Sequence, residues 1–148
     1  MTRFKGTSDD DTGGPEPLGA LVLSPVPRSV SCARRCFRQF ADFHHLACSA
    51  DDCVLMVSEL VTNAIVHGKA DDPWRVRVHW YRVGQSLRVD VHNPGCPAHV
   101  RLRTPEATEA HGRGLLLVDG LADEWWAGPS QHGGTLVAFV MHRAFKPD

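Results

Sequence analysis

Apolar residues recur along the chain in two rhythms, and the changes between them mark its elements. Val30, Ala33, Phe37, Phe40 and Ala41 return at helical spacing, which predicts a helix from Ser29, as N-cap, to about Phe43 with those side chains inward. A second helical stripe runs through Val54, Val57, Val61, Ala64 and Ile65; Ser49, followed by Asp51 and Asp52, opens this helix, and Gly68 closes it. The period then shortens to two. Val76, Val78 and Trp80 alternate with Arg75, Arg77, His79 and Tyr81, and after Gly84-Gln85 the alternation resumes at Leu87, Val89 and Val91, which predicts a hairpin with one buried face. Leu18 to Leu23 reads as a short edge strand. Residues 94 to about 112 carry neither period, the pattern of an active-site lid or binding loop. Gly114 to about Ala122 reads as a helix, Asp123-Glu124-Trp125-Trp126 as a turn region, and Thr135 to about Met141 as the last strand. The order α-α-β-β-lid-α-β-β predicts an α+β protein with helices stacked on one face of a mostly antiparallel sheet.

Two polar residues interrupt the second stripe. Glu59 and Asn63 stand four apart and so share a helical face, while Leu55, Met56 and Leu60 carry apolar character round toward them. A carboxylate among such neighbours costs several kcal/mol unless a cation or hydrogen-bond donors compensate it. An ionic visitor is therefore expected on this face. About fifty residues later, Gly112-Arg113-Gly114-Leu115-Leu116-Leu117-Val118 places two glycines at the start of an apolar helical run. Backbone amides exposed at a helix N-terminus favour phosphate, so this segment reads as an anion site.

Composition narrows the classes. The chain has 148 residues, 43% hydrophobic and 22% charged, which suits one soluble domain. Residues 1–20, with Asp9-Asp10-Asp11-Thr12-Gly13-Gly14-Pro15-Glu16-Pro17, read as a disordered tail, and 21–145 as the domain. A net charge of −1 with dispersed Arg predicts no direct nucleic-acid partner and no membrane partner. Neither a membrane-length apolar run nor a signal-peptide core is present, so a cytoplasmic location is expected. The five cysteines, Cys32, Cys36, Cys48, Cys53 and Cys96, are odd in number and lack a C-x-x-C pair, which favours buried reduced thiols over disulfides or a standard zinc site. Cys32 and Cys36 with His44 and His45 could be imagined as metal ligands, but Cys36 fits the helix core stripe better.

Taken together, Glu59-x-x-x-Asn63, Val91-His92-Asn93-Pro94-Gly95, Gly112-Arg113-Gly114-Leu115 and Gly133-Gly134-Thr135 resemble the N, G1, G2 and G3 boxes of the GHKL-type, or Bergerat-fold, ATPases. Within that group the sequence is most similar to the small bacterial anti-sigma-factor serine/threonine kinases with histidine-kinase-like ATPase domains. The resemblance covers about residues 20 to 142. It implies a two-layer α/β sandwich with helices on one face of a mostly antiparallel mixed sheet, ATP and Mg²⁺ as cofactors, and kinase activity in transcription regulation. Asn63 would hold Mg²⁺, a role suited to a carbonyl oxygen, and Glu59 would be the general base for a serine hydroxyl or water attacking the γ-phosphate. Gly112 and Gly114 would present amides to the phosphates, at the turn that Leu115 completes. Arg113 reads equally as a charge stabiliser or a solvated lid residue, Thr135 as an adenine-side contact or an ordinary strand residue, and His67 as a helix-terminal residue. Asn93 and Gly95 would form the adenine end.

The pattern departs from the family at Asn93, where the G1 box has an aspartate that accepts the adenine amino proton. An amide oxygen accepts the same bond without charge assistance. Two readings stay open. In the first, the protein sequesters a sigma factor and phosphorylates a serine on an anti-anti-sigma antagonist. In the second, it is a catalytically weak ATP-binding or partner-binding regulator without kinase turnover. The resemblance allows a homodimer. A histidine-kinase catalytic module fits less well, because no dimerisation helix pair with a phosphoacceptor histidine precedes the domain.

Overall fold

The computed structural model describes residues 2–5, 14–68, 70–95 and 113–147, with the backbone alone for 2–5, 113 and 114. Among the described residues the order is β1 (Thr2–Lys5), β2 (Glu16–Leu23), α1 (Arg28–His44), α2 (Ala50–His67), β3 (Val76–Val83), β4 (Ser86–Asn93), α3 (Arg113–Leu121), β5 (Glu124–Pro129) and β6 (Thr135–Met141). The six strands form one sheet in the order β1-β5-β6-β4-β3-β2. Among the described residues every pairing is antiparallel, with no parallel strand of the mostly antiparallel mixed sheet that the resemblance implies. Tight joins at β3–β4 and β5–β6 impose that sense on their strands.

The helices cover one face of the sheet, giving the expected α+β two-layer arrangement. Val76, Val78 and Trp80 of β3 and Leu87, Val89 and Val91 of β4 are buried beneath Ala33, Phe37 and Phe40 of α1 and Met56, Val57, Leu60 and Val61 of α2. Phe37 meets the Trp80 indole edge-on, with ring centroids 5.8 Å apart. Of the predicted inward stripe of α1, Ala33, Phe37, Phe40 and Ala41 are buried, while Val30 and Cys36 are half-buried. Ser49 caps α2 as expected, accepting the Asp52 N–H at 3.2 Å. Ser29 does not cap α1. Pro27 holds that position, because its fixed φ already suits a helix, and the Ser29 hydroxyl instead donates to the Ser24 carbonyl at 2.7 Å.

Two further expectations change. Glu124-Trp125-Trp126 belongs to a strand, not a turn. β5 is buried from Glu124 to Gly128, with Trp125 in the main core and Trp126 on the other face beside Leu136, Ala138 and Val140. A strand covered on both faces shows no alternation, which is why its period is invisible. The segment read as a tail also contributes structure: Thr2–Lys5 pairs with β5, and β2 already begins at Glu16. Those pairings join residues far apart in sequence, beyond the reach of local composition. Cys32, Cys36, Cys48 and Cys53 are free thiols, with the Cys48 and Cys53 sulfurs 3.8 Å apart; Cys96 lies outside the described residues.

The sheet face away from the helices is polar at β3 and β4. Arg88 donates bidentately to the buried Asp90 at 2.7 and 2.9 Å, and its guanidinium lies 5.0 Å over the Trp126 ring. Beside them, burial pushes His92 down to about 4 and lowers His79. In the unfolded chain a histidine takes a proton near pH 6.5, so the folded protein falls behind in proton uptake below that value. Stability is therefore full above about pH 6.5 and declines as pH drops toward 4, with His92 contributing up to about 3 kcal/mol of the loss. Urea unfolding of wild type and His92→Gln across this range checks it; the expected result is a shallower decline in the variant.

Candidate functional site

α2 lies at the centre of the helical layer, packed against α1, α3, β3 and β4. Its inner residues Met56, Leu60, Val61 and Ala64 point into the core, whereas Leu55 is exposed, so Glu59 and Asn63 sit half-buried where the core face meets the open side. Of the apolar residues flanking the pair on the helix, Met56 and Leu60 are buried and Leu55 is exposed. Among the described residues Glu59 forms no ion pair. The Oδ1 of Asn63, one turn on, is buried without a hydrogen-bond partner among the described residues. Leaving such an acceptor unsatisfied costs about 1–3 kcal/mol, so the position is suited to an incoming donor or cation.

At the C-terminal end of α2 a second set of residues closes in. Gly68 ends the helix with an ordinary negative φ of −81°, and its backbone lies against the Asn93 side chain. The Gly95 N–H donates to Asn93 Oδ1 at 2.7 Å, and Thr135 Oγ1 donates to the Gly95 carbonyl at 2.5 Å. Asn93 and Thr135 are also register partners between β4 and β6. A Cβ on Gly95 would stand 2.8 Å from both Asn93 Oδ1 and the His67 carbonyl. Gly134 has φ +85°, and a Cβ there would collide with the Asn93 carbonyl and Pro94. Asn93, Gly95 and Thr135 thus form one cradle at the end of α2. Thr135 acts in it by holding Gly95, a role that neither reading from its residue type anticipates. His67 is exposed at the helix end beside the cradle.

Of the remaining candidates, Gly112 lies outside the described residues, as do residues 96–111 of the expected lid. Arg113 and Gly114 open α3, and Leu115, in its first turn, packs half-buried against the core. The helix expected from Gly114 thus forms and opens one residue earlier, at Arg113. α3 packs on α2 and is tied to β5 by the Trp125 Nε1–H, which donates to Asp119 Oδ1 at 2.9 Å. Sequence reasoning named Gly68 only as the residue that closes α2 and Trp125 only within a turn region, and it did not single out Asp119. For Gly68 the close approach to Asn93 is a tertiary fact with no local signal.

The orphaned Asn63 oxygen has the chemistry of a Mg²⁺ ligand, a hard neutral oxygen one turn from a carboxylate. The chain belongs to the histidine kinase-like ATPase domain family, which matches it over residues 23–141, and so carries an ATP-binding domain. No protein of curated function matches it.

Proposed function

We propose, proceeding from that family membership, that the protein is an ATP-dependent anti-sigma regulator: it sequesters a sigma factor and transfers phosphate from ATP to a serine of an anti-anti-sigma antagonist. The observation that carries this reading is the buried Asn63 Oδ1, without a hydrogen-bond partner among the described residues, one turn from Glu59 on the helix whose C-terminal end meets the Asn93–Gly95–Thr135 cradle. Asn63 would hold Mg²⁺, which when bound neutralises charge on the nucleotide phosphates. Glu59 orients the incoming hydroxyl and takes its proton as the oxygen attacks the γ-phosphorus and ADP leaves. The start of α3 offers backbone amides to the phosphates, and the Asn93 side chain faces the base. The outer side of α1 suits an acidic partner, since Arg34 and Arg35 are exposed there. Arg38 is drawn to Asp51 at 2.9 Å in a solvent-exposed pair of small energetic weight.

Titration calorimetry tests the metal assignment. Asn63→Ala is expected to lose the Mg²⁺-dependent part of ATP affinity, at least about tenfold, while metal-free binding stays unchanged. Equal Mg²⁺ dependence in the two proteins would remove Asn63 from the metal site.

A second reading, a regulator that binds nucleotide weakly and does not turn it over, is favoured by one contact: Asn93 Oδ1 already accepts the Gly95 N–H. A neutral oxygen sharing a second bond to an adenine amino group binds more weakly than a carboxylate would. Asn93→Asp is therefore expected to tighten ATP about fivefold or more, the value of roughly 1 kcal/mol, and to favour ATP over GTP. Competition titration with both nucleotides checks it; no gain for ATP would place the side chain away from the base.

A further inference from the structure

Three imidazoles with no part in the nucleotide site converge on the sheet face away from the helices. His79 of β3 stands opposite Asp90 of β4, so His92, two residues along β4, is its diagonal neighbour on the same face. His132 reaches both from the β5–β6 turn. Ring centroids are 4.9 Å apart for His92 and His132, 5.5 Å for His79 and His92, and 5.9 Å for His79 and His132. One ring nitrogen of each lies within 4.8 Å of the other two.

We propose that His79, His92 and His132 form a binding site for a borderline divalent transition metal of the Zn²⁺ type, with an open fourth position. A tetrahedral ion with Zn–N bonds of about 2.0–2.1 Å places its ligand nitrogens roughly 3.3 Å apart. The three rings must therefore close by about 1.5 Å, and His132, exposed on a turn, can supply that movement. The other two are prepared. His79 Nε2 is buried with no hydrogen-bond partner among the described residues, an unmet requirement that a metal fills. His92 Nδ1 lies 2.7 Å from Ser130 Oγ, which also accepts the His132 N–H at 3.0 Å. With Nδ1–H donating to the serine, Nε2 of His92 presents its lone pair, as in metal sites whose ligand tautomer is fixed by an outer partner. Burial disfavours the protonated form of both rings, the form that cannot bind a metal. Asp90, the nearest carboxylate on the face, is committed to Arg88, leaving an all-nitrogen donor set that suits Zn²⁺, Ni²⁺ or Cu²⁺ rather than Mg²⁺ or Ca²⁺.

The site has a structural consequence: it would fasten the turn from Ser130 to Gly134 onto β3 and β4. The same turn leads into Thr135 and lies against Asn93.

The test is calorimetric titration of metal-stripped, untagged full-length chain with Zn²⁺ in nucleotide-free buffer, with Co²⁺ as an optical probe. Expected are one equivalent of Zn²⁺, a Co²⁺ spectrum of nitrogen and oxygen ligation, and at least about tenfold weaker Zn²⁺ binding in His132→Ala and His79→Gln. Cys48→Ser is expected to bind as wild type does. Because His132 is exposed on a turn, its variant keeps the test valid if His79→Gln fails to fold. The proposal is overturned by absence of Zn²⁺ uptake in wild type, by unchanged affinity in folded His132→Ala, or by a thiolate-to-metal charge-transfer band in the Co²⁺ complex.

Discussion

Glu59→Ala is expected to separate binding from chemistry: ATP affinity within about threefold of wild type, and phosphate transfer to an antagonist serine slower by about 10²–10⁴-fold, the usual worth of a positioned general base. The reason is geometric. Glu59 lies one turn before Asn63 on α2, and Asn93, Gly95 and Thr135 meet at the C-terminal end of that helix, so removing its carboxylate is expected to leave the proposed contacts to the nucleotide in place. Its half-buried position lets it meet a hydroxyl arriving from outside while limiting competition from bulk water. Single-turnover transfer from radiolabelled ATP to a purified antagonist, paired with nucleotide titration, measures both quantities. Wild-type protein that binds ATP and antagonist yet transfers nothing would overturn the kinase reading and support the regulator without turnover. A variant that loses ATP binding together with transfer would assign Glu59 to the nucleotide instead.

Trp125→Ala carries the largest expected cost in stability. The indole is fully buried in the main core, and its N–H is the donor that ties β5 to Asp119 in α3. Truncating a buried aromatic costs about 3–5 kcal/mol through lost burial and the cavity left behind. For a chain of this size that is a fall in Tm of about 10 °C or more. Trp125→Phe keeps most of the volume and loses the hydrogen bond, so a loss of about 1–2 kcal/mol is expected. Calorimetric melting of the two variants separates packing from the polar tie. If Trp125→Phe melts with wild type, the bond to Asp119 contributes nothing measurable. Because α3 carries the glycine turn at its start, Trp125→Phe is also expected to weaken ATP binding more than its modest effect on melting suggests.

What could be read in the sequence depended on how each residue is exposed. The hairpin of β3 and β4 was legible because its helix-facing positions are apolar and the alternating ones polar, so Val76, Val78 and Trp80 alternate visibly with polar neighbours. β5 was not, because Glu124 to Gly128 are buried on both faces and the pattern collapses into an unbroken run containing a charge. The Glu59/Asn63 pair and the Gly112–Leu115 turn stood out as polar or glycine interruptions of apolar helices. Their partners in the cradle were named through a resemblance, and the contact that joins them, Thr135 to the Gly95 carbonyl, depends on strand register. The three histidines were equally hidden. His79, His92 and His132 have no motif spacing, and only the pairing of β3 with β4 and the turn into β6 bring them together.

The sheet takes both of its edges from the first part of the chain. β1 lies at one end and β2 at the other, with every later strand between them. During synthesis, Thr2 leaves the ribosome long before its partner Ala127 exists, and β2 waits for β3. β2 can dock once Val83 has emerged, whereas β1 must remain unpaired until β5 is made, and by then α1, α2 and the β3–β4 hairpin can already have collapsed onto one another. The first of the described strands to be translated thus waits longest for its partner.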